Sequence, residues 1–182
     1  MRSLHAFIGG KTGKWRVLSV SSVRGPSLDP VDHVDVRPTD SSLSTDGGAW
    51  CLQGQISNLR YATRTELTSL RSSQEALGRA GALRAALIPI KKSAAWWELA
   101  QDERRAIFEE QSHHTAVGLK YLPAIARQLY HSRDLAQPFD FLTWFEYAPE
   151  FANAFEDLVA KLRSTTEWQY VEREVDIRLE RQ

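Results

Sequence analysis

The chain has 182 residues, which is enough for one large domain or for two small halves that pack closely together. Its 23 basic and 23 acidic residues give a formal net charge of zero, so the composition predicts no nucleic-acid partner. The single cysteine, Cys51, excludes an intramolecular disulfide and every motif that needs two cysteines. The first twenty residues contain no secretory signal, and no apolar run reaches the length of a membrane span. We therefore expect a soluble cytoplasmic protein with no membrane partner.

The first eighty residues predict a loosely built half made of short strands. Strand-like runs lie at residues 15–23 and 50–55, on either side of a stretch with loop composition at residues 25–49. Within that stretch, residues 31–36 alternate in polarity as a strand does. Residues 64–78 predict one helix with a sparse stripe of leucines.

From residue 82 onward the hydrophobic periodicity becomes regular and predicts four strands and two helices. In chain order these are a strand at residues 82–91, a helix at 101–113, strands at 124–132 and 139–147, a helix that opens at Pro149, and a strand at 171–179. Pro89 predicts an edge strand or a bulge, because proline cannot donate to a sheet ladder. The order is the split βαβ, or ferredoxin-like, arrangement, an antiparallel sheet with helices packed on one face. We predict an α+β fold in which residues 81–182 form one such half and residues 1–80 form a trimmed copy.

The segment with the strongest chemical signal is QSHHTAVGLKYLPAIARQLYH, residues 111–131, which contains His113, His114 and Arg127. A neutral imidazole is a good ligand for iron or zinc. An arginine among apolar neighbours keeps its charge and needs an anionic partner. The segment therefore predicts a site where a small anion meets a metal. A surface histidine pair and an arginine that snorkels to solvent would also explain it.

The strand predicted at residues 139–147 has two different faces, because successive side chains of a strand point to opposite sides. One face carries Phe141, Thr143, Phe145 and Tyr147, and the other carries Leu142, Trp144 and Glu146. The first face predicts a wall for a flat aromatic ligand, with a plain sheet-on-helix core as the alternative. Trp96 and Trp97 are adjacent and cannot share one face, so we expect one to lie in the core and the other to border a cofactor or an interface.

Residues 84–180 resemble the chlorite dismutase family, and the resemblance is carried by the segments IPIKKSAAWWELAQDERRAIFEEQSHHTAVGLKYLPAIARQLYHSRDL and PFDFLTWFEYAPE. They are similar to the short-chain lineage, whose members form homodimers and have a trimmed N-terminal half. The resemblance implies two ferredoxin-like halves whose antiparallel sheets form a barrel-like core covered by helices. It also implies one haem b, bound without covalent attachment in the C-terminal half.

Carried over position by position, the resemblance makes His114, rather than His113, the iron ligand. It makes Arg127 the distal arginine and Glu167 the carboxylate that accepts a hydrogen bond from the ligand imidazole, which would make that imidazole more electron-donating. It further assigns Lys92 and Trp96 to the propionates and the haem edge, Thr143 and Phe145 to the distal wall, Tyr61 to a propionate contact, and Gln74 to the distal pocket.

The activity that the resemblance implies is the conversion of chlorite to chloride and dioxygen. It would proceed by oxygen-atom transfer to ferric haem and recombination with hypochlorite, while the rigid guanidinium of Arg127 holds the anions in an apolar pocket. The alternatives are a haem-binding or haem-transfer protein and a coproheme decarboxylase-like enzyme of the same superfamily, against which Arg127 argues. A structural barrel without a cofactor would leave the spacing of His114, Arg127 and Glu167 unexplained.

Overall fold

The computed structural model describes residues 4–39, 48–56 and 63–182, and within these ranges eight strands form one closed antiparallel barrel. In chain order the strands are β1 (Leu4–Gly10), β2 (Trp15–Arg24), β3 (His33–Thr39), β4 (Trp50–Ile56), β5 (Arg84–Lys92), β6 (Ile125–His131), β7 (Phe141–Tyr147) and β8 (Val171–Arg181). Around the barrel their order is β1-β3-β2-β8-β5-β7-β6-β4, and β4 closes the barrel by pairing with β1. The α+β class and the barrel-like antiparallel core are confirmed.

The helices of the described ranges all follow β4 in the chain. They are α1 (Arg64–Ser73), α2 (Ala94–Glu98), α3 (Gln101–Arg105), α4 (His114–Leu119) and α5 (Ala152–Arg163), with a π-helical turn at Ala106–Gln111 and 3₁₀ turns at Arg133–Leu135, Pro149–Phe151 and Thr166–Tyr170. None of the helices in these ranges is long and apolar enough to cross a membrane.

Two helices differ from the lengths that the periodicity predicts. The helix predicted at residues 64–78 ends at Ser73, although its start is well defined by a capping box. In that box Thr63 Oγ1 accepts from the Glu66 N–H at 3.3 Å, and the Glu66 carboxylate accepts from the Thr63 N–H at 2.6 Å. The helix predicted at residues 101–113 changes from α to π geometry after Arg105. Hydrophobic periodicity over so few residues does not distinguish an α-helix from a π-helical turn, because both are helical.

The two halves of the chain share one strand order. It is β4-β1-β3-β2 in the first half and β8-β5-β7-β6 in the second, and the halves join through the pairs β2–β8 and β4–β6. In the second half the predicted succession of strands and helices is confirmed. Between β1 and β2 only residues 11–14 are available, which leaves no room for a helix.

Pro89 does not lie at an edge of the sheet, contrary to one of the two predictions for it. Its strand β5 pairs with β7 on one side and with β8 on the other. Pairing with β8 stops at Leu87 and resumes at Ile90, so the missing N–H of the proline falls in an interruption of the ladder.

The barrel interior and the outer face of its sheet hold separate hydrophobic cores. The interior core draws on all eight strands and includes Phe7, Trp15, Leu52, Trp144 and Ile177. The outer core lies between the sheet and α5 and includes Ile88, Ile125, Phe145, Tyr147, Phe155, Leu158 and Val159. The two faces predicted for β7 are thereby confirmed, since its even-numbered apolar residues point inward and Phe145 and Tyr147 point outward.

One residue of β8 lies on the wrong face for simple alternation. Alternation predicts Val171 on the same face as Val175, but Val171 packs in the outer core and Val175 in the interior. The cause is a bulge at Lys91 and Lys92, where the register against β8 shifts by one residue. A one-residue shift moves every side chain beyond it to the other face.

Candidate functional site

A cavity of about 860 Å³, including its open mouth, lies against the outer face of β5, β6 and β7. Most of its wall is apolar, as is typical of sites for organic cofactors. Of the nine residues that the sequence singles out for the site, seven line this cavity: Lys92, Trp96, His114, Arg127, Thr143, Phe145 and Glu167.

The wall that the sheet provides follows from the alternation of three neighbouring strands. The side chains that face the cavity are Ile88, Ile90 and Lys92 on β5, Phe141, Thr143 and Phe145 on β7, and Arg127, Leu129 and His131 on β6. Because β7 lies between the other two strands, the antiparallel register sets these side chains in rows, with Arg127 beside Phe145 and Leu129 beside Thr143. Arg127 and Lys92 consequently stand at diagonally opposite corners of a largely apolar surface.

The Glu167 carboxylate joins His114 to Lys92. One oxygen lies 2.7 Å from His114 Nδ1 and the other lies 2.7 Å from Lys92 Nζ. Lys92 and Glu167 are each only 4% exposed, so the three groups interact in a poorly solvated environment. Burial raises the pKa of the Glu167 carboxyl, but the neighbouring His114 and Lys92 outweigh burial and lower that pKa to about 2. The carboxylate is therefore ionised at neutral pH.

The ionised carboxylate determines which imidazole nitrogen of His114 can bind a ligand. A carboxylate only accepts hydrogen bonds, so His114 Nδ1 must be the donor, and Nε2 of a neutral ring keeps its lone pair. Among the described residues, no cluster of three histidine, cysteine or acidic side chains is arranged to hold a bare metal ion. One oriented imidazole on an apolar cavity instead suits a metal that a macrocycle already holds, and the donor set therefore fits haem iron.

The two tandem histidines have different surroundings. His113 is exposed and adopts a left-handed backbone conformation, with φ of 51°. His114 begins α4, lines the cavity and stacks on Phe108 with ring centroids 4.4 Å apart. The N-terminus of α4 is held by Glu109, whose carboxylate accepts from the Thr115 N–H at 2.7 Å. The interpretation as surface histidines thus describes His113 but not His114.

Arg127 is the charged group of the cavity that lacks a partner. Within the described ranges, no hydrogen bond or ion pair to its guanidinium is found, and its neighbours on the wall are Phe145 and Leu129. Burial lowers the pKa of Arg127 and the Glu167 charge opposes this, but an arginine in a protein stays protonated. A second cavity of about 340 Å³, lined mainly by leucine and isoleucine, also borders Arg127 and His114. The arrangement leaves a fixed positive charge available to a small anion.

Trp96 and Trp97 do not share the core role and the cofactor-bordering role between them as predicted. Trp96, only 1% exposed, is both the core residue and the one that lines the cavity, with Lys92 Nζ 4.6 Å from its ring centroid. Trp97 lies outside the cavity, where the guanidinium carbon of Arg133 is 3.6 Å from its ring centroid and that of Arg104 is 5.2 Å away. One residue therefore fulfils both expected roles.

The two remaining predicted residues are Gln74, which is not among the residues that line the cavity, and Tyr61. Gln74 instead donates from Nε2 to the backbone carbonyl of Arg127 at 2.7 Å, so it contacts strand β6 from outside the cavity. Tyr61 lies outside the described residues.

The cavity residues that sequence reasoning missed include three aromatic rings and a carboxylate: Phe108, His131, Trp168 and Glu174. Glu174 is a charged residue of β8, yet it is completely buried. Its carboxylate accepts from Trp168 Nε1 at 2.7 Å and from Arg163 Nε at 2.8 Å. Because α5 covers this face of β8, the charges pair with each other rather than with water.

With this geometry established, the comparisons with known proteins agree on one family. The model of that family, described as chlorite dismutase, matches residues 55–181. The chain is 33% identical over 139 residues to a chlorite dismutase of Ideonella dechloratans, which covers 75% of this chain and 46% of that protein. The chain therefore spans about half the length of this relative.

A solved structure at high identity supports the same family. The chain is 60% identical in sequence to the crystal structure of dimeric chlorite dismutases from Nitrobacter winogradskyi. The two superimpose with a TM-score of 0.92 over 97% of this chain and 99% of that chain. A mutant chlorite dismutase from Candidatus Nitrospira defluvii in complex with cyanide gives a TM-score of 0.72 over 99% of this chain and 91% of that chain. At 22% identity, that second likeness shows the fold alone. Because the family model matches well over half of the chain, the chain belongs to the chlorite dismutase family.

Proposed function

We propose that this chain is a haem b chlorite dismutase that converts chlorite to chloride and dioxygen. The observation that carries the proposal is the unpartnered guanidinium of Arg127 on the same apolar cavity as a histidine that a buried carboxylate orients. The reaction ClO₂⁻ → Cl⁻ + O₂ begins and ends with a monoanion. A site for it needs one cation, few competing polar groups and a redox centre.

The cofactor would be held by the residues of the cavity, with His114 Nε2 as the iron ligand and Lys92 and Trp96 beside its edge and propionates. Tyr61 would add a propionate contact. The haem would supply the iron that accepts an oxygen atom from chlorite. The Glu167 carboxylate would fix the tautomer of His114 and increase its donation to the metal, because a hydrogen bond from Nδ1 shifts electron density onto the ring.

Arg127 would bind chlorite and then retain hypochlorite until dioxygen forms. Its planar donors suit a small oxyanion better than a flexible ammonium does. Thr143, Phe145 and Leu129 form the surrounding wall, and a wall with so few polar atoms strengthens the attraction between the guanidinium and the anion. Gln74 would act on this step only through the backbone of Arg127.

Two structural proposals accompany the activity. The strand order shared by the two halves supports a pair of ferredoxin-like units, of which the first lacks the helix between β1 and β2. The likeness to dimeric chlorite dismutases over nearly the whole of both chains supports a homodimer.

The experiment that tests the activity is to load the full chain with haem b, add chlorite and record oxygen release with an electrode. We expect dioxygen and chloride in equal amounts, each matching the chlorite consumed. A haem-loaded protein that releases no oxygen would contradict the proposal and favour a haem-binding or haem-transfer function. Loss of carboxyl groups from added iron coproporphyrin, without oxygen release from chlorite, would favour the decarboxylase function.

A further inference from the structure

Ser112 and His114 approach the same glutamate from one short segment of chain. His114 Nδ1 lies 2.7 Å from the Glu167 carboxylate, and Ser112 Oγ accepts a hydrogen bond from the Glu167 backbone N–H at 3.0 Å. Ser112 and Glu167 are each only 4% exposed. The side chain and the backbone of Glu167 are therefore held by two residues that stand on either side of His113.

The geometry of the segment brings these two side chains to the same side. Ser112 closes the π-helical turn through a hydrogen bond from its N–H to the Ile107 carbonyl at 3.2 Å. His113 then turns the chain through a left-handed conformation, which a non-glycine residue adopts only at a cost of about 1 kcal/mol or more. α4 begins immediately afterwards at His114. Such local strain persists where the surrounding contacts demand it.

The hydrogen bond from Glu167 also replaces a missing cap. Glu167 lies in the first turn of the 3₁₀ segment Thr166–Tyr170, where backbone N–H groups have no partner within the helix. The residue that precedes this segment, Thr165, makes no side-chain cap, and its hydroxyl instead donates to the Leu162 carbonyl at 2.7 Å. Ser112, distant in sequence, supplies the acceptor instead.

We propose that Ser112 is a positioning residue that holds Glu167 in register with His114 and thereby sets the electron donation of the ligand imidazole. The inference rests on the proposed function, since it takes His114 as the iron ligand. Without the hydroxyl, the Glu167 N–H is buried without an acceptor, and the turn that carries the carboxylate is free to shift. A misaligned carboxylate accepts a weaker hydrogen bond from Nδ1, which leaves the imidazole less anionic.

The test is the iron(III)/iron(II) midpoint potential of the haem-loaded protein, measured by spectroelectrochemistry. Ser112→Ala should raise the potential, in the same direction as Glu167→Gln but by less. Ser112→Thr keeps the hydroxyl and should restore the wild-type value. The double variant Ser112→Ala/Glu167→Gln should match Glu167→Gln alone, because Ser112 acts only through that carboxylate.

Ser132 provides a matched control. It is a completely buried serine whose hydroxyl has no hydrogen-bond partner among the described residues. Ser132→Ala removes the same atoms and should leave the potential unchanged. A wild-type potential in Ser112→Ala, or additive shifts in the double variant, would overturn the positioning role.

Hydrogen exchange in the haem-free protein keeps the inference testable if Ser112→Ala does not load haem. The Glu167 amide should be protected in the wild type and exchange about tenfold faster in Ser112→Ala, as expected for the loss of one buried hydrogen bond. An unprotected Glu167 amide in the wild type, or an unchanged rate in the variant, would overturn the inference. A wild type that fails to bind haem, with the Glu167 amide protected, would instead count against the proposed function and leave the Ser112 hydrogen bond standing.

Discussion

The two faces of the barrel sheet are built from the same strands but are filled in different ways. The inner face is closed by aromatic and aliphatic side chains from every strand, including Phe7, Trp15 and Trp144. The outer face of β5, β6 and β7 leaves a cavity of about 860 Å³ including its open mouth. Strand β7 contributes to both, with Leu142 inside and Thr143 outside. The inner face supplies the packing that holds the strands in register, and the outer face presents the chemical groups.

A second contrast lies within the charges of the outer face. Arg163 bonds to Glu174 and Asp176, and Arg178 bonds to Asp176, so these arginines are fully engaged by carboxylates. Arg127 has no such partner within the described ranges. In a buried ion pair, the attraction between the charges largely offsets the free energy lost by removing them from water. A buried cation without a partner destabilises the fold unless it binds an anion. The difference supports the proposal that Arg127 is the group that binds the anionic substrate.

The largest expected effect comes from the ligand histidine. His114→Ala should lose haem or bind it only weakly, because the variant removes the proposed protein bond to iron. Absorption spectra before and after desalting measure the occupancy. His113→Gly is the matched control, since glycine adopts the left-handed conformation at that position without strain. Normal haem occupancy and ligation in His114→Ala would end the assignment.

The next effect separates the two faces of β7. Leu142→Ala deletes a fully buried side chain of the barrel interior and should lower the free energy of unfolding by about 2–5 kcal/mol. Thr143→Ala, one residue away on the cavity wall, should change it by less than about 1 kcal/mol because it opens no new cavity in a closed core. Urea unfolding of the haem-free protein measures both. Equal losses would show that the outer face contributes to stability as much as the inner one.

Arg127→Ala should retain haem, because the arginine makes no proposed bond to iron. Initial oxygen release should fall only in part, whereas total turnovers before bleaching should fall about tenfold or more, since hydrogen bonds to a charged group contribute about 1.5–3 kcal/mol. A hypochlorite trap should rescue Arg127→Ala more than the wild type, and Arg127→Lys should be intermediate at best. An alanine variant that survives as many turnovers as the wild type would show that Arg127 does not retain hypochlorite.

The smallest effect concerns the ion pair that ties α1 to α3. A hydrogen bond from Arg105 is the main reason that the pKa of Glu66 is lowered to about 2. A lowered folded-state pKa adds stability above the unfolded value, and this contribution is lost as pH falls from about 4.5 to about 2. Because both side chains are partly exposed, Glu66→Gln should lower stability at pH 7 by only about 0.5–1 kcal/mol. The difference from wild type should vanish below about pH 2.

A matched control for this prediction is Glu75→Gln. Glu75 pairs with Arg79 on the surface and is more than half exposed, so its loss should leave unfolding curves unchanged at any pH. If Glu66→Gln also leaves the curves unchanged at pH 7, the pair with Arg105 does not stabilise the attachment of α1.

Local sequence predicted most of the strands, the longer helices and one wall of the site, but it gave no strand at Leu4–Gly10 and no helix at His114–Leu119. Alternation along β7 separates Thr143 and Phe145 from Leu142 and Trp144, because strand geometry depends only on the chain itself. The same is true of β6, whose period of two brings Arg127, Leu129 and His131 to one side. Spacing could not choose between His113 and His114, and only the resemblance to a family did so.

The tertiary structure decided what lies opposite that wall and which charges are buried. The left-handed turn at His113 exposes one histidine and directs the other into the cavity. Ser112 and Glu167 meet across 55 residues of chain, and the buried Glu174 bonds to Arg163 of α5 and to Trp168. Periodicity reports which side of an element is apolar, but not what packs against its polar side. Those contacts depend on barrel closure and helix docking, which bring together residues that are distant in the chain.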